Sequence, residues 1–423
     1  MMKAMLGFCV LAAMVAFGVS AHADVTTGQV TFFKDVLPIL QENCQTCHRP
    51  AGANLSGMVA PMSLVTYEDV RPWAKAVQKA VENHVMPPWH ADPKFHGMFA
   101  NERTLSEQQI ATFSSWVTQG AKRGNPAEAP APVKFIETGW NFGTPDLVVE
   151  FEEPFFVKDD VQDLYENINV TLTEEMLPES RWLKAIQFMP GSEVVHHIIG
   201  HANPPNVGEQ ARTARGMLGG NAPGADDNVF PEGFGILLEK GSVITFALHY
   251  HKEPGPGTGV WDSSSMGFQF HDQAAQHPVE ISTISHGDFE IPPFAQSWRV
   301  GASRTFAEDT YLIGMLPHMH LRGLGARYIA FYPDGKTEEL LHVPSYDFNW
   351  QTGYGYKEMK VLPAGTRIEM ELWFTNTEER GQLAGIDPSR AIRFGGPTTD
   401  EMDLAWVTIA PVKPVNAGTQ AGD

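Results

Sequence analysis

Cysteine is nearly missing: the chain has three in 423 residues. Cys9 lies in an apolar N-terminal run, and Cys44 and Cys47 sit three positions apart. So few thiols exclude the disulfide framework common in exported proteins, and the mature chain is expected to be disulfide-free. Positive charge is also scarce. Thirty Lys and Arg stand against 50 Asp and Glu, for a net charge of −20. That balance argues against nucleic acid or an anionic membrane surface as a partner. Long hydrophobic runs are lacking beyond the first residues, so no later stretch is expected to span a bilayer.

The start, "MMKAMLGFCVLAAMVAFGVSAHADV", has the layout of an export signal. Lys3 supplies the positive end. Met5 to Val19 is apolar but short of the ~20 residues a membrane span needs. Ala21-His22-Ala23 fits a small-x-small cleavage site, so residues 1–23 are expected to leave and the mature chain to begin near Asp24. A retained anchor is the rival reading. The export route leads to a bacterial periplasm or beyond. The length implies two or three domains.

"CQTCH", Cys44 to His48, is the attachment motif of haem c: two thiols add to the vinyl groups and the histidine ligates iron. A redox Cys-x-x-Cys is the competitor; His48 directly after the motif, and the export signal, favour haem. The flanks look helical. Phe33, Val36, Leu37 and Leu40 form a stripe. A second helix fits "YEDVRPWAKAVQKAVENH". A third follows "TLSE", with Thr104 and Glu107 as a capping box and Gly120 as its stop. Met86, in "HVMPPWHAD", is the expected sixth iron ligand, because a thioether raises the haem potential and suits electron transfer. Met58, Met62, Met98, His84 and His90 are its rivals. A small all-α cytochrome c domain is therefore expected over 26–122, followed by a semi-rigid Pro/Ala linker over 123–133.

Beyond the linker the helical stripes stop. "DLVVEF", "ENINVTL", "KAIQFM", "SVITFALHY", "MGFQFH", "RYIAFY" and "RIEMELWF" are rich in Val, Ile, Phe and Tyr and are parted by Gly, Pro, Asn and Asp. That pattern predicts β-sandwiches or barrels. The length calls for two, over 134–286 and 287–410, with a flexible tail over 411–423.

Histidines cluster in three places: "VVHHIIGHA" (His196, His197, His201), "FALHYH" (His249, His251) and "LPHMHLRG" (His318, His320). His-x-His on a strand turns both rings to one face, which suits two ligands of one metal. An adjacent pair needs a bend to converge. Imidazole suits zinc or copper, and an added thioether would favour copper.

In order and type these residues resemble the copper type II, ascorbate-dependent monooxygenases, the family of peptidylglycine α-hydroxylating and dopamine β-monooxygenases. The resemblance covers about two-thirds of the chain. It implies two successive jelly-roll-like domains, so the expected fold is mainly β with the cytochrome module ahead. It implies an electron-transfer copper on His196, His197 and His249. An oxygen-activating copper would sit on His318, His320 and Met402, the last in "TTDEMDLAW". His201 and His251 are demoted, and Met319 should point away from its flanking histidines. Leu316, Leu404 and Trp406 stand where peptide-amidating members hold a substrate carboxylate, which implies a neutral or apolar substrate. The expected activity is hydroxylation of a C–H bond with O2, with electrons passing from a periplasmic donor through the haem. A haem- and copper-bearing electron-transfer protein is the alternative. A haem–copper reductase of a small oxyanion is disfavoured because no cysteine remains for a thiolate copper site.

Overall fold

The computed structural model describes residues 28–50, 60–135, 139–213, 215–221, 228–384 and 386–414. The expected signal peptide, the rival ligand Met58 and most of the expected tail lie outside these. The described chain is mainly β, with its two longest helices near the N-terminal end. Among the described residues, no helix is long and apolar enough to cross a membrane.

Three helices share one core: α1 (Leu37–Asn43), α2 (Tyr67–Glu82) and α3 (Glu107–Thr118). In α2 the buried Val70, Ala74, Val77 and Val81 recur every three or four residues, the spacing of one helical face. Thr66 starts that helix. Its hydroxyl accepts the Asp69 N–H, and the Asp69 carboxylate accepts the Thr66 N–H. The cap of α3 is not the expected Thr104 and Glu107. Ser106 and Gln109 form the box two residues later, while the Thr104 hydroxyl donates to Glu102. Gly120 ends the helix at φ +91°, as its lack of a Cβ allows. Phe32, Leu40, Phe113 and Trp116 fill the centre of this core.

Within the stretch expected to be one cytochrome module, residues 89–101 leave the helical core. Ala91, Phe95 and Phe99 are buried in the core of the second β unit, and Trp89 and Met98 pack against it. Phe99 makes a β-bridge with Tyr356 on the edge strand Tyr354–Leu362. The Ala100 N–H donates to Gly355 O at 2.8 Å, and the Lys357 N–H to Met98 O at 2.9 Å. The attachment is finished by Lys94 on Glu339 at 2.6 Å and by His342 on Asp92 at 3.1 Å.

The rest forms two β units. In the first, a sheet built around Arg181–Met189 and Ser265–Phe270 faces a four-stranded sheet. That second sheet runs Asp163–Thr171, Val243–His251, Val195–Asn203, Met217–Asn221. Residues of both, among them Ile186, Phe188, Ile198 and Phe246, share one core. The second unit pairs Glu280–Ile284, Leu404–Pro411, Thr310–His318 and Tyr354–Leu362 in one sheet. The other sheet holds Trp298–Thr305, Arg367–Phe374, Gly323–Phe331 and Thr337–Val343. Leu312, Tyr328, Leu341 and Leu372 lie in their common core. Tyr311, Ile313 and Met359 point the other way and pack on the first unit. The strand carrying His318 is thus covered on both faces.

Candidate functional site

Two neighbouring histidines on a regular strand would face opposite sides. Here they do not. Strand Val195–Asn203 pairs antiparallel with Val243–His251, and the register slips between Val195↔Tyr250 and His197↔His249. His196 is the extra residue of a β-bulge, which re-aims its side chain. The rings of His196 and His197 lie 5.5 Å apart, and each is 5.0 Å from the ring of His249. One ligand atom from each of the three falls within 4.8 Å of the others, a group able to hold a metal ion.

The hydrogen bonds of His249 show which nitrogen a metal would meet. Its Nε2–H donates to Asp163 Oδ1 at 2.9 Å, and its ring stacks on Tyr165 with centroids 4.3 Å apart. Its Nδ1 is buried with no hydrogen-bond partner. A buried ring nitrogen left unpaired is costly unless something coordinates it. Nearby, His196 Nδ1 and His197 Nδ1 are 3.2 Å apart. The donor set fits a metal, with Asp163 as the outer carboxylate that fixes the tautomer.

Burial keeps these rings neutral, as ligands must be. Desolvation, with the nearby His249, lowers His196 to about 4. His197 is pushed well below its usual value by burial, and then by His249 and His196. Burial also lowers His249, against the pull of Asp163.

The other group sits at the end of strand Thr310–His318. His320 lies just past that end, so the pair does not share a strand face as expected; the rings are still 5.3 Å apart, at 89°. The His318 Nδ1–H donates to Gln351 Oε1 at 2.7 Å, and the His320 Nδ1–H to Asp400 O at 3.3 Å. The His318 ring is thereby turned to present Nε2, while the carbonyls of both Asp400 and Pro397 meet the His320 ring. Burial, together with His318, lowers His320 to about 3. Met319 is buried in the core between them, where its N–H and C=O meet the Tyr346 hydroxyl.

The pairing of the two strands ends at His318 opposite Leu404, two residues short of His320 and Met402. Glu401 locks the two segments. Its carboxylate accepts the His320 N–H at 2.7 Å and the Arg322 N–H at 2.6 Å. Burial pushes that carboxyl up to about 8, while the N–H groups of Arg322, His320 and Met402 pull the other way.

The two groups are neighbours. Phe348 stacks on His196 at 5.5 Å and lies edge-on to His320 at 6.1 Å. Beside them a cavity of about 520 Å³ is lined by both His197 and His318. Leu316 and Trp406, which the sequence placed at a lost carboxylate anchor, form part of its wall. Ala100 and Asn101, from the N-terminal segment, form another part.

His201 and His251 stay outside. His201 is buried and its Nδ1–H donates to Arg215 O at 2.9 Å. His251 is half exposed and donates to Asp163 at 3.0 Å. Sequence reasoning missed Asp163, Gln351, Phe348 and Glu401. Only Glu401, in the "DEM" turn, had any local cue.

Cys44, Cys47 and His48 lie on one tight turn, with the Cys47 and His48 N–H groups donating to Cys44 O. Burial raises Cys44 to about 12. The His48 Nδ1–H donates to Met62 O at 3.1 Å, leaving Nε2 as the nitrogen able to coordinate iron. This set fits covalent haem attachment. Met86 lies four residues past α2 and is 40% exposed. Of its rivals, Met62 packs on the helical core and Met98 on the second β core, while His90 faces Asp347.

No family model matches the chain, and no curated protein matches it. Among solved structures it is similar to VP2 of the infectious bursal disease virus subviral particle, at 10% identity and a TM-score of 0.19. That match covers 62% of this chain and 73% of the other. It is also similar to a Paenibacillus xanthan lyase, at 11% identity and a TM-score of 0.18, over 69% of this chain and 28% of the other. Likeness at these scores bears on neither fold nor function.

Proposed function

We propose that the chain is an exported copper- and O2-dependent monooxygenase that hydroxylates a C–H bond of a small substrate. In this reading His196, His197 and His249 hold one copper, and His318, His320 and Met402 hold the other, in two jelly-roll-like domains. Cys44, Cys47 and His48 carry haem c, with Met86 as sixth ligand, in a cytochrome module. Bound there, copper would supply oxygen activation and the haem one-electron transfer from a periplasmic donor. The overall reaction takes O2, two electrons and two protons, leaving one oxygen atom in C–OH and the other in water.

One observation carries this reading: His197 of one group and His318 of the other line the same cavity. A storage or relay protein needs ligands, but it has no need of an organic-sized space shared by two of them. The protein's own residues do the preparatory work. Asp163 and Gln351 hold His249 and His318 in single tautomers. Burial keeps the imidazoles unprotonated, and Glu401 ties His320 to the Met402 turn.

The test is copper-loaded, haem-bearing protein supplied with reductant, candidate substrates and labelled O2. Label in the product, with substrate-dependent oxygen uptake, is the expected result. Copper binding and haem reduction with no uptake on any substrate would make it an electron-transfer or copper-binding protein instead.

A further inference from the structure

The cavity beside the two histidine groups has a wall chemistry of its own. Its volume, about 520 Å³, is that of a small-molecule site. Phe230, Ile313, Met315, Leu316 and Trp406 give it a mainly apolar surface. Among the described lining residues, Lys357 is the only formal charge, and it is exposed to solvent. A charged guest would be desolvated there without a buried counter-charge.

Most polar lining groups are already committed to the protein. The Asn101 amide donates to Gly353 O at 2.7 Å and accepts the Gly355 N–H at 3.3 Å. Gln351 accepts from His318 and donates to Phe348 O at 3.1 Å. Asn228 donates to Leu218 O at 3.3 Å, and the Tyr356 hydroxyl to Leu340 O at 2.9 Å. Asn221 differs. It ends strand Met217–Asn221 opposite Ile198, the residue after His197. It is 7% exposed, and its side chain has no hydrogen bond among the described residues.

From these walls we infer that the cavity takes a neutral, largely hydrocarbon molecule bearing one hydroxyl or carbonyl, and that the Asn221 amide meets that group. The apolar wall holds the carbon skeleton. Asn221 sets which end of the molecule lies next to His197. That this guest is the substrate rests on the monooxygenase reading; that it binds does not.

The test uses the full chain with its copper sites stripped by chelator, and four probes on one ring system: naphthylmethanol, methylnaphthalene, naphthoic acid and naphthylmethylamine. Binding is read by equilibrium dialysis. Naphthylmethanol should bind best, and the acid and the amine at least about 10-fold more weakly, as expected for an ion without a buried partner. Asn221→Leu should weaken naphthylmethanol about 3- to 10-fold, the worth of one neutral hydrogen bond, while methylnaphthalene holds its affinity. Leu316→Arg should favour the acid over the alcohol.

Failure of naphthylmethanol to bind, or binding of the acid as tightly as the alcohol, would overturn the inference. So would an Asn221→Leu protein, folded by circular dichroism, that keeps the original ratio of alcohol to hydrocarbon. If Asn221→Leu does not fold, the four-probe ranking on the unaltered chain decides. Because the metals are absent, these outcomes are separate from copper loading or oxygen uptake, whose failure would strike only the proposed reaction.

Discussion

His249 donates its Nε2–H to Asp163 Oδ1 at 2.9 Å and keeps Nδ1 buried and unpaired. Asp163 therefore decides which nitrogen is left to face a metal. Asp163→Ala should weaken metal at His196, His197 and His249 by about 10- to 100-fold, the usual effect of losing an outer partner. Competition with a chelator measures this, and an unchanged affinity would leave Asp163 with no orienting role. His251 shares the same carboxylate but stands half exposed outside the group. His251→Ala should leave the metal count unchanged, while His249→Ala should empty this site alone.

Met402 separates a ligand from core filler. Leucine nearly conserves its volume, so Met402→Leu should cost under about 1.5 kcal/mol in a melting experiment. As a ligand it contributes a soft sulfur that leucine lacks. The variant should keep the three-histidine metal and lose Cu(I) affinity at His318 and His320, with oxygen uptake falling by orders of magnitude. Full activity in Met402→Leu would falsify the oxygen-site assignment.

Acid should destabilise the metal-free protein through its buried imidazoles. The folded state holds His196 at about 4 and His320 at about 3, against an ordinary 6.5. As pH falls through 6.5 the unfolded chain takes up protons that the folded chain refuses, so stability is lost from there down toward the folded values. Restoring the pH restores it. Denaturant midpoints between pH 7 and 4 should decline, and the decline should shrink in His196→Phe. Midpoints that stay flat across that range would show the rings to be protonated in place.

Met86 is the least anchored of the proposed ligands, 40% exposed on the loop after α2. Met86→Ala should leave haem covalently attached through Cys44 and Cys47 but shift its spectrum from low-spin methionine ligation and change its potential. An unaltered spectrum would point to another ligand.

Much of the β framework could be read from residue type. Each quoted segment, from "DLVVEF" to "RIEMELWF", falls on a strand, because β-branched and aromatic runs between turn residues suit little else. His249 was identifiable from its motif, but Asp163 was not. It reaches His249 only because two strands distant in sequence lie in one register, and no local pattern encodes that pairing. The His196 bulge was anticipated only as a need for some bend. His320 was expected on a strand face, yet the strand stops at His318, where Glu401 takes over the backbone N–H groups that a ladder would have used. The cap of α3 was misplaced for a smaller reason: "TLSEQQ" offers two overlapping boxes, and Glu102 draws Thr104 away from the first.

The short pairing of residues 98–101 with the edge strand Tyr354–Leu362 changes what the Pro/Ala stretch means. A tether alone sets an effective concentration: the attached module wanders, and its distance from any target is an average. Backbone hydrogen bonds to a sheet edge set a length instead. The turn of Cys44 to His48 and the histidine groups then belong to one frame, and lengthening 123–133 would leave their spacing as it is. In the proposed reading, electron supply and the cavity also become inseparable, since the segment that fastens the helices lends Ala100 and Asn101 to the cavity wall. A change at the fastening would be felt in both timing and selectivity.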